Sequence, residues 1–211
     1  MPSSRPAGLI IRHRSLDDLP AIQALMARVY APPLHGPEAV WSERSMLRHL
    51  ARFPQGQFVA DLEGAVVGTS TCMRLSLERA LAPHTWGDLT ARGTLATHEP
   101  EGEALYGVNI AVDPACQGQG VGHALYEARI ALARSQGCRW FVAGARIPGY
   151  HRHAERMSPA AMGSLAITGV HASMHCAQPT HSSCKPVRMS MPVGHTATQA
   201  PQSTQSPRGA G

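Results

Sequence analysis

The residues with the clearest chemical potential are Gln117-Gly118-Gln119-Gly120-Val121-Gly122, which come directly after Val112-Asp113-Pro114-Ala115-Cys116. Glycine at every second position leaves backbone N–H groups uncovered, and an apolar stripe beginning at Val121 marks the start of a helix. The N–H groups of such a turn and of a first helical turn point the same way. The helix dipole adds positive potential, so the stretch suits phosphate oxygens. The plainer alternative is a tight turn needed only for packing. Two phosphate-binding patterns do not fit. A P-loop ends in Gly-Lys-Ser/Thr, where this chain has Val121-Gly122-His123. A dinucleotide fingerprint needs its third glycine where His123 stands, and an acidic residue closing a nearby strand.

Other reactive side chains are less ordered in their spacing. His171, His175, Cys176, His181 and Cys184 are of types that suit zinc. Their spacing is not that of a standard finger, and chance enrichment in a His-rich segment accounts for them, so no metal is expected. Cys116 stands ahead of a helix N-terminus, where a thiol can be activated; it is read here as a small side chain.

The elements that would position the turn are set by periodicity. Val108, Ile110 and Val112 alternate in a strand over 105–112, and Leu125, Ala128, Ile130 and Leu132 mark a helix over about 121–136. A short strand covers 9–12. Ser15 with Asp18 reads as a helix N-cap pair ahead of the Ile22, Leu25, Met26, Val29 stripe, which Pro32-Pro33 ends. A second helix is expected over 38–52. Strands over 57–61 and 65–71 flank the Glu63-Gly64 turn, and a further strand covers 139–144. Residues 76–104 look irregular, and a loop of that length is usually functional or disordered.

Composition sets the class. The 211 residues suffice for one good core, and 43% apolar content is ordinary. Residues 1–150 hold 14 basic and 13 acidic side chains, so the +5 net charge belongs mostly to residues 151–211. A basic stripe with interleaved aromatics is missing, which argues against nucleic acid as a partner. Five scattered cysteines suggest a reducing compartment. With no signal peptide and no apolar run of spanning length, a cytoplasmic location away from membranes is expected.

The pattern Gln/Arg-x-x-Gly-x-Gly/Ala, met by residues 117–122, resembles the acetyl-CoA pyrophosphate loop of the GNAT acetyltransferase superfamily. A hairpin ending in Val66-Val67-Gly68 recurs there just ahead of the acetyl-CoA strand. Further stretches are similar to one subfamily: Phe53-Pro54-Gln55-Gly56-Gln57, His84-Thr85-Trp86, Leu105-Tyr106-Gly107-Val108, Leu125-Tyr126-Glu127-Ala128-Arg129 and Gly144-Ala145-Arg146-Ile147-Pro148-Gly149-Tyr150. In that subfamily the domain often precedes a nitrilase-type carbon–nitrogen hydrolase domain, which has no counterpart in this chain. The resemblance covers residues 9–160 and implies an α/β fold, with a mixed twisted sheet of the GNAT acyl-CoA N-acyltransferase type. It implies a domain over 1–160 that lacks the family's last strands.

Residues 161–211 contain no aromatic and no acidic side chain, so a low-complexity, disordered tail is expected there. The strand over 139–144, with Trp140 and Phe141, should then keep an unpaired edge that favours aggregation.

The resemblance also implies roles. Acetyl-CoA would be the co-substrate, with its pyrophosphate on Gln117, Gly118, Gln119, Gly120, Val121 and Gly122. Its pantetheine amides would pair with the strand at Ile110, Ala111 and Val112, and a backbone N–H of that strand would serve the oxyanion. Tyr150 is the candidate acid for the leaving thiolate. Glu101, Glu103 and His84, placed near the expected entrance, are candidate bases, and a histidine's ordinary pKa suits proton transfer. The implied function is acetyl transfer to a small-molecule or protein amine. The alternative is a non-catalytic acyl-CoA-binding module, once attached to a carbon–nitrogen hydrolase domain or protein.

Overall fold

Among the described residues, alternating strand and helix signals resolve into a six-stranded sheet whose strands lie side by side in chain order. The computed structural model describes residues 5–30, 39–145, 155–156 and 187–192. The strands are β1 (Leu9–His13), β2 (Gln57–Leu62), β3 (Ala65–Leu75), β4 (Ala104–Val112), β5 (Trp140–Ala145) and β6 (Val187–Pro192). Neighbours are antiparallel except β4 and β5, which run parallel. A parallel pair needs a crossover. The helix numbered α5 (Val121–Ser135) supplies it; the earlier helices are α1 (Leu19–Val29), α2 (Glu43–Arg52), α3 (Leu77–Leu81) and α4 (Trp86–Leu89).

The sheet is covered on both faces. On one face Val121, Leu125 and Leu132 of α5 pack with Phe58, Ala60, Ile110 and Val112. On the other, Ile22 and Met26 of α1 and Met46 of α2 pack with Val59, Met73, Tyr106 and Val108. The stripe of α1 is the one its spacing predicts. At Gly68 a Cβ would lie 3.1–3.2 Å from Ala60, Leu125 and Val121 side-chain atoms, so the hairpin glycine lets α5 sit close on the sheet. The Ser15 and Asp18 pair forms as expected: the Ser15 N–H donates to the Asp18 carboxylate at 2.7 Å. Arg12 grips the same carboxylate and also Asp61, tying β1 to β2 and to the turn before α1.

Three expectations need correction. α2 begins at Glu43 rather than near residue 38, because the Ser42 hydroxyl accepts the Ser45 N–H and caps the helix there. Residues 76–104 are folded. Ser76 and Thr85 cap α3 and α4, whose first-turn N–H groups donate to their hydroxyls. Ala91, Arg92 and Leu95 take left-handed conformations in the turn after α4. Third, the outer edge of β5 is paired. β6 lies antiparallel along it, from Trp140 opposite Pro192 to Ala145 opposite Val187. An open edge offers a row of N–H and C=O groups to any extended segment. Val187, Met189 and Met191 alternate with Arg188 and Ser190 as a strand requires. The rest of residues 161–211 lies outside the described residues.

Candidate functional site

The glycine turn joins β4 to α5. A short 3-10 turn, Pro114–Cys116, comes after the Asp113 carboxylate, which accepts the Ala115 N–H. Gly118 and Gly120 adopt φ +74° and +81°, a left-handed conformation that costs other residues about 1–2 kcal/mol. Gly120 caps α5. Among the described residues, no hydrogen bond engages the backbone N–H groups from Gly118 to His123; the first helical bond is from Ala124 to Gly120. The Gln117 and Gln119 side chains fold back onto the carbonyls of Val112 and Ala115, which leaves the N–H row open. No acidic side chain stands in the first turn of α5 to oppose its dipole. The nearby Asp113 carboxylate is neutralised by Arg28 at 2.7 Å. The Ala115 N–H and Arg28 hold Asp113 below the usual carboxylate range. Such a row is a receptor for phosphate oxygens. Cys116 packs at the edge of the α5 layer, as a small side chain would.

β4 leads into this turn with an edge left open. It pairs with β5 only from Ala104 opposite Trp140 to Gly107 opposite Ala143. The Asp113 N–H donates to Val67 of β3. Strand alternation therefore turns the N–H and C=O groups of Ile110 and Val112 to the other edge, where β5 has departed. Ala111 faces the α1 layer, and Ile110 and Val112 face the α5 layer. The strand and turn residues named from the sequence thus adjoin one another.

A bulge shapes this edge. Thr71 pairs with Asn109 and Cys72 with Gly107, so Val108 is an extra residue in β4. Val108 accepts a hydrogen bond from the Trp86 indole at 3.1 Å, and the Arg129 guanidinium donates to the Asn109 carbonyl and to the Ser70 hydroxyl. The Asn109 side chain, 1% exposed, donates to the Tyr30 hydroxyl at 2.6 Å. Trp86, Asn109 and Arg129 are residues that sequence reasoning missed. Arg129 carried a signal, since a cation occupies the position between Leu125 and Leu132 on the apolar stripe of α5.

The candidate acids and bases fare differently. Tyr150 and the His171, His175, Cys176, His181 and Cys184 group lie outside the described residues. His84 meets Tyr106 of β4 edge-on, with ring centroids 6.2 Å apart, and its Nδ1 contacts the Ala82 carbonyl at 2.7 Å. Glu101 and Glu103 precede β4, so the strand's full length separates them from the glycine turn. Glu103 stands 3.7 Å from Arg139, and Glu101 is exposed. Both carboxylates thus stand at the opposite end of β4 from the glycine turn.

Two buried bases shape the opposite layer. His49 is fully buried, and burial pushes its pKa down to about 4. Its Nε2 bonds the Gly93 carbonyl at 2.6 Å, fastening the 76–104 segment to α2. Arg14 donates to the Thr69 and Thr71 hydroxyls, and burial lowers its pKa to about 10.

Comparison with known proteins accords with this geometry. The model of the acetyltransferase (GNAT) family matches residues 22–154. An uncharacterized N-acetyltransferase of Bacillus subtilis, YkwB, is 31% identical over 71% of this chain and 66% of its own length. A probable hydrolase of the same organism, YhcX, is 37% identical over 56% of this chain. The matched part is 23% of that hydrolase, so the chain spans a minor part of one relative and about two thirds of the other. Among solved structures, the GphF GNAT-like decarboxylase in complex with isobutyryl-CoA is 32% identical. It has a TM-score of 0.59 and covers 71% of this chain and 72% of that one. The loading GNATL domain of CurA from Lyngbya majuscula shares the fold, with TM-score 0.65 at 18% identity over 89% of this chain and 99% of its own. With more than half its length matched, and the open glycine turn where β4 meets α5, the chain belongs to the acetyltransferase (GNAT) family.

Proposed function

We propose that the chain transfers an acetyl group from acetyl-CoA to an amine of a small molecule or protein. The observation that carries this is the row of open N–H groups from Gly118 to His123 beside the free edge of β4. The pyrophosphate rests on residues 117–122, and the pantetheine amides pair with the open-edge groups of Ile110 and Val112; Ala111, also named from the sequence, turns its N–H and C=O toward β3 instead. A structure 32% identical to this chain is described as holding an acyl-CoA, which supports the same class of ligand here. The thioester supplies the acyl group. The amine nitrogen bonds to the carbonyl carbon, the carbon–sulfur bond breaks, the amine proton passes to a base, and the thiolate takes a proton. His84, against Tyr106, is the base candidate nearest to where β4 and β5 part, and Tyr150 is the proposed proton donor to sulfur. Holding both substrates together supplies much of the rate. The setting proposed is cytoplasmic; Cys72, Cys116 and Cys138 are free thiols, and among the described residues no helix is long and apolar enough to cross a membrane.

The second reading is a non-catalytic acyl-CoA-binding module that works beside a carbon–nitrogen hydrolase domain. The match to a small part of a probable hydrolase favours it. Calorimetric titration with acetyl-CoA, then transfer of labelled acetyl to a panel of amines, separates the two. Wild type should bind, and Gly120→Val should weaken binding by roughly tenfold, because a left-handed valine is strained. Binding with no transfer to any amine would favour the module. No binding by folded wild type would overturn both readings, and binding indifferent to Gly120→Val would remove the turn as the phosphate site.

A further inference from the structure

We infer that Trp86 and Arg129 are positioning residues that set the β4 bulge from opposite faces of the sheet, an inference whose functional meaning rests on the acetyl-CoA reading above. An inserted residue is left unpaired and disturbs the ladder beside it. Here the affected carbonyls belong to Val108 and Asn109, 2% and 1% exposed, where water is no substitute partner. Each carbonyl finds a side-chain donor. The Trp86 indole N–H reaches Val108 from the α1 layer, and the Arg129 guanidinium reaches Asn109 from the α5 layer.

Neither donor is placed incidentally. Trp86 opens α4, where Thr85 both accepts the Asp88 N–H at 3.1 Å and donates to the Asp88 carboxylate at 2.7 Å. That pair of hydrogen bonds fixes the start of the helix and the ring it carries. Arg129 is 1% exposed, and among the described residues its partners include the Ser70 hydroxyl, the Asn109 carbonyl, the Cys72 thiol and the Tyr126 ring, 5.0 Å from its guanidinium carbon. Burying a cation without a carboxylate is a poor way to fill a core. The same position on α5 would accept an apolar side chain if packing were its only purpose. Its geometry is that of a clamp on a carbonyl.

The consequence is local and specific. Val108 and Asn109 are held in the bulge, and the next edge groups, on Ile110 and Val112, are thereby aimed at the gap β5 leaves. A thioester carbonyl lying on that edge meets donors already in place, as stabilisation of a developing oxyanion requires. Neither clamp touches the glycine turn, so the affinity contributed by the phosphates is independent of them.

The experiment uses Trp86→Phe, which removes the indole donor and keeps an aromatic ring, and Ser70→Ala, which removes one anchor of Arg129. In the ligand-free full chain, amide exchange at Asn109 and Ala111 should rise about fivefold to tenfold in each variant, the worth of one net hydrogen bond, with Val59 of β2 as the unchanged reference. With acetyl-CoA labelled at the carbonyl carbon, the infrared carbonyl band of the bound thioester should return toward its free position in Trp86→Phe, while calorimetric affinity stays within about twofold. Unchanged exchange in both variants overturns the clamp. Faster exchange with an unmoved carbonyl band overturns its aim at the thioester. If wild type binds no acetyl-CoA, the proposed function fails, and the exchange result still decides the clamp.

Discussion

At the residue scale, burial converts ordinary side chains into constraints with measurable pH dependence. His49 has an Nε2 bond to Gly93 and a pKa near 4, against 6.5 for an exposed histidine. Below pH 6.5 the unfolded chain takes up a proton that the folded chain refuses until about pH 4. Stability should therefore be steady above pH 6.5 and fall with pH through that window, by about 3 kcal/mol in full. Asp18, held near pKa 2 mainly by its bond to Arg12, adds a separate loss at lower pH, as the solution falls from 3.8 toward 2. Urea unfolding of wild type and His49→Gln at pH 7, 5.5 and 4.5 checks this. The variant should lack most of the loss between 6.5 and 4.5, the remainder coming from His98, whose pKa burial also lowers, and parallel curves would place the proton affinity of His49 elsewhere.

At the scale of elements, the seat of α5 on the sheet depends on the absence of a side chain. A Cβ at Gly68 would press on Ala60, Leu125 and Val121 at 3.1–3.2 Å, tighter than relaxed packing permits. Gly68→Ala should cost about 1–3 kcal/mol, as overpacking of a close core does, and Gly68→Val more. Because α5 carries the open N–H row at its head, tilting the helix should also weaken acetyl-CoA binding. Chemical denaturation and calorimetry on the same samples test both. A fully stable Gly68→Val with wild-type affinity would show that α5 does not lie as close to β3 as described.

For the whole molecule, the closing strand decides stability. β6 satisfies the outer edge of β5 along its length. A chain ending at residue 186 would expose that edge, and an open edge strand is a template for association. It should unfold several degrees lower than the full chain, the shift expected for a loss of about 1–2 kcal/mol in a domain this size, and should sediment as mixed oligomers. Equal thermal midpoints and a monomeric truncated chain would show that β6 contributes nothing.

Local patterns in the sequence were enough to specify the parts that act alone. The glycines at 118 and 120 demand a left-handed turn whatever surrounds them, and the apolar stripes of α1 and α5 have only one face to bury. The open glycine turn, the strand feeding it and the α/β class were legible for that reason. Features that depended on distant partners were not. The bulge at Val108 arises from the register between β3 and β4, and its carbonyls are held by residues 22 and 20 positions away in sequence. Glu101 and Glu103 carry suitable chemistry, but only the length of β4 decides that they stand at the opposite end of the strand from the glycine turn. The alternation of Val187, Met189 and Met191 was present in the sequence, yet it became a strand only because β5 offered an unsatisfied edge to receive it.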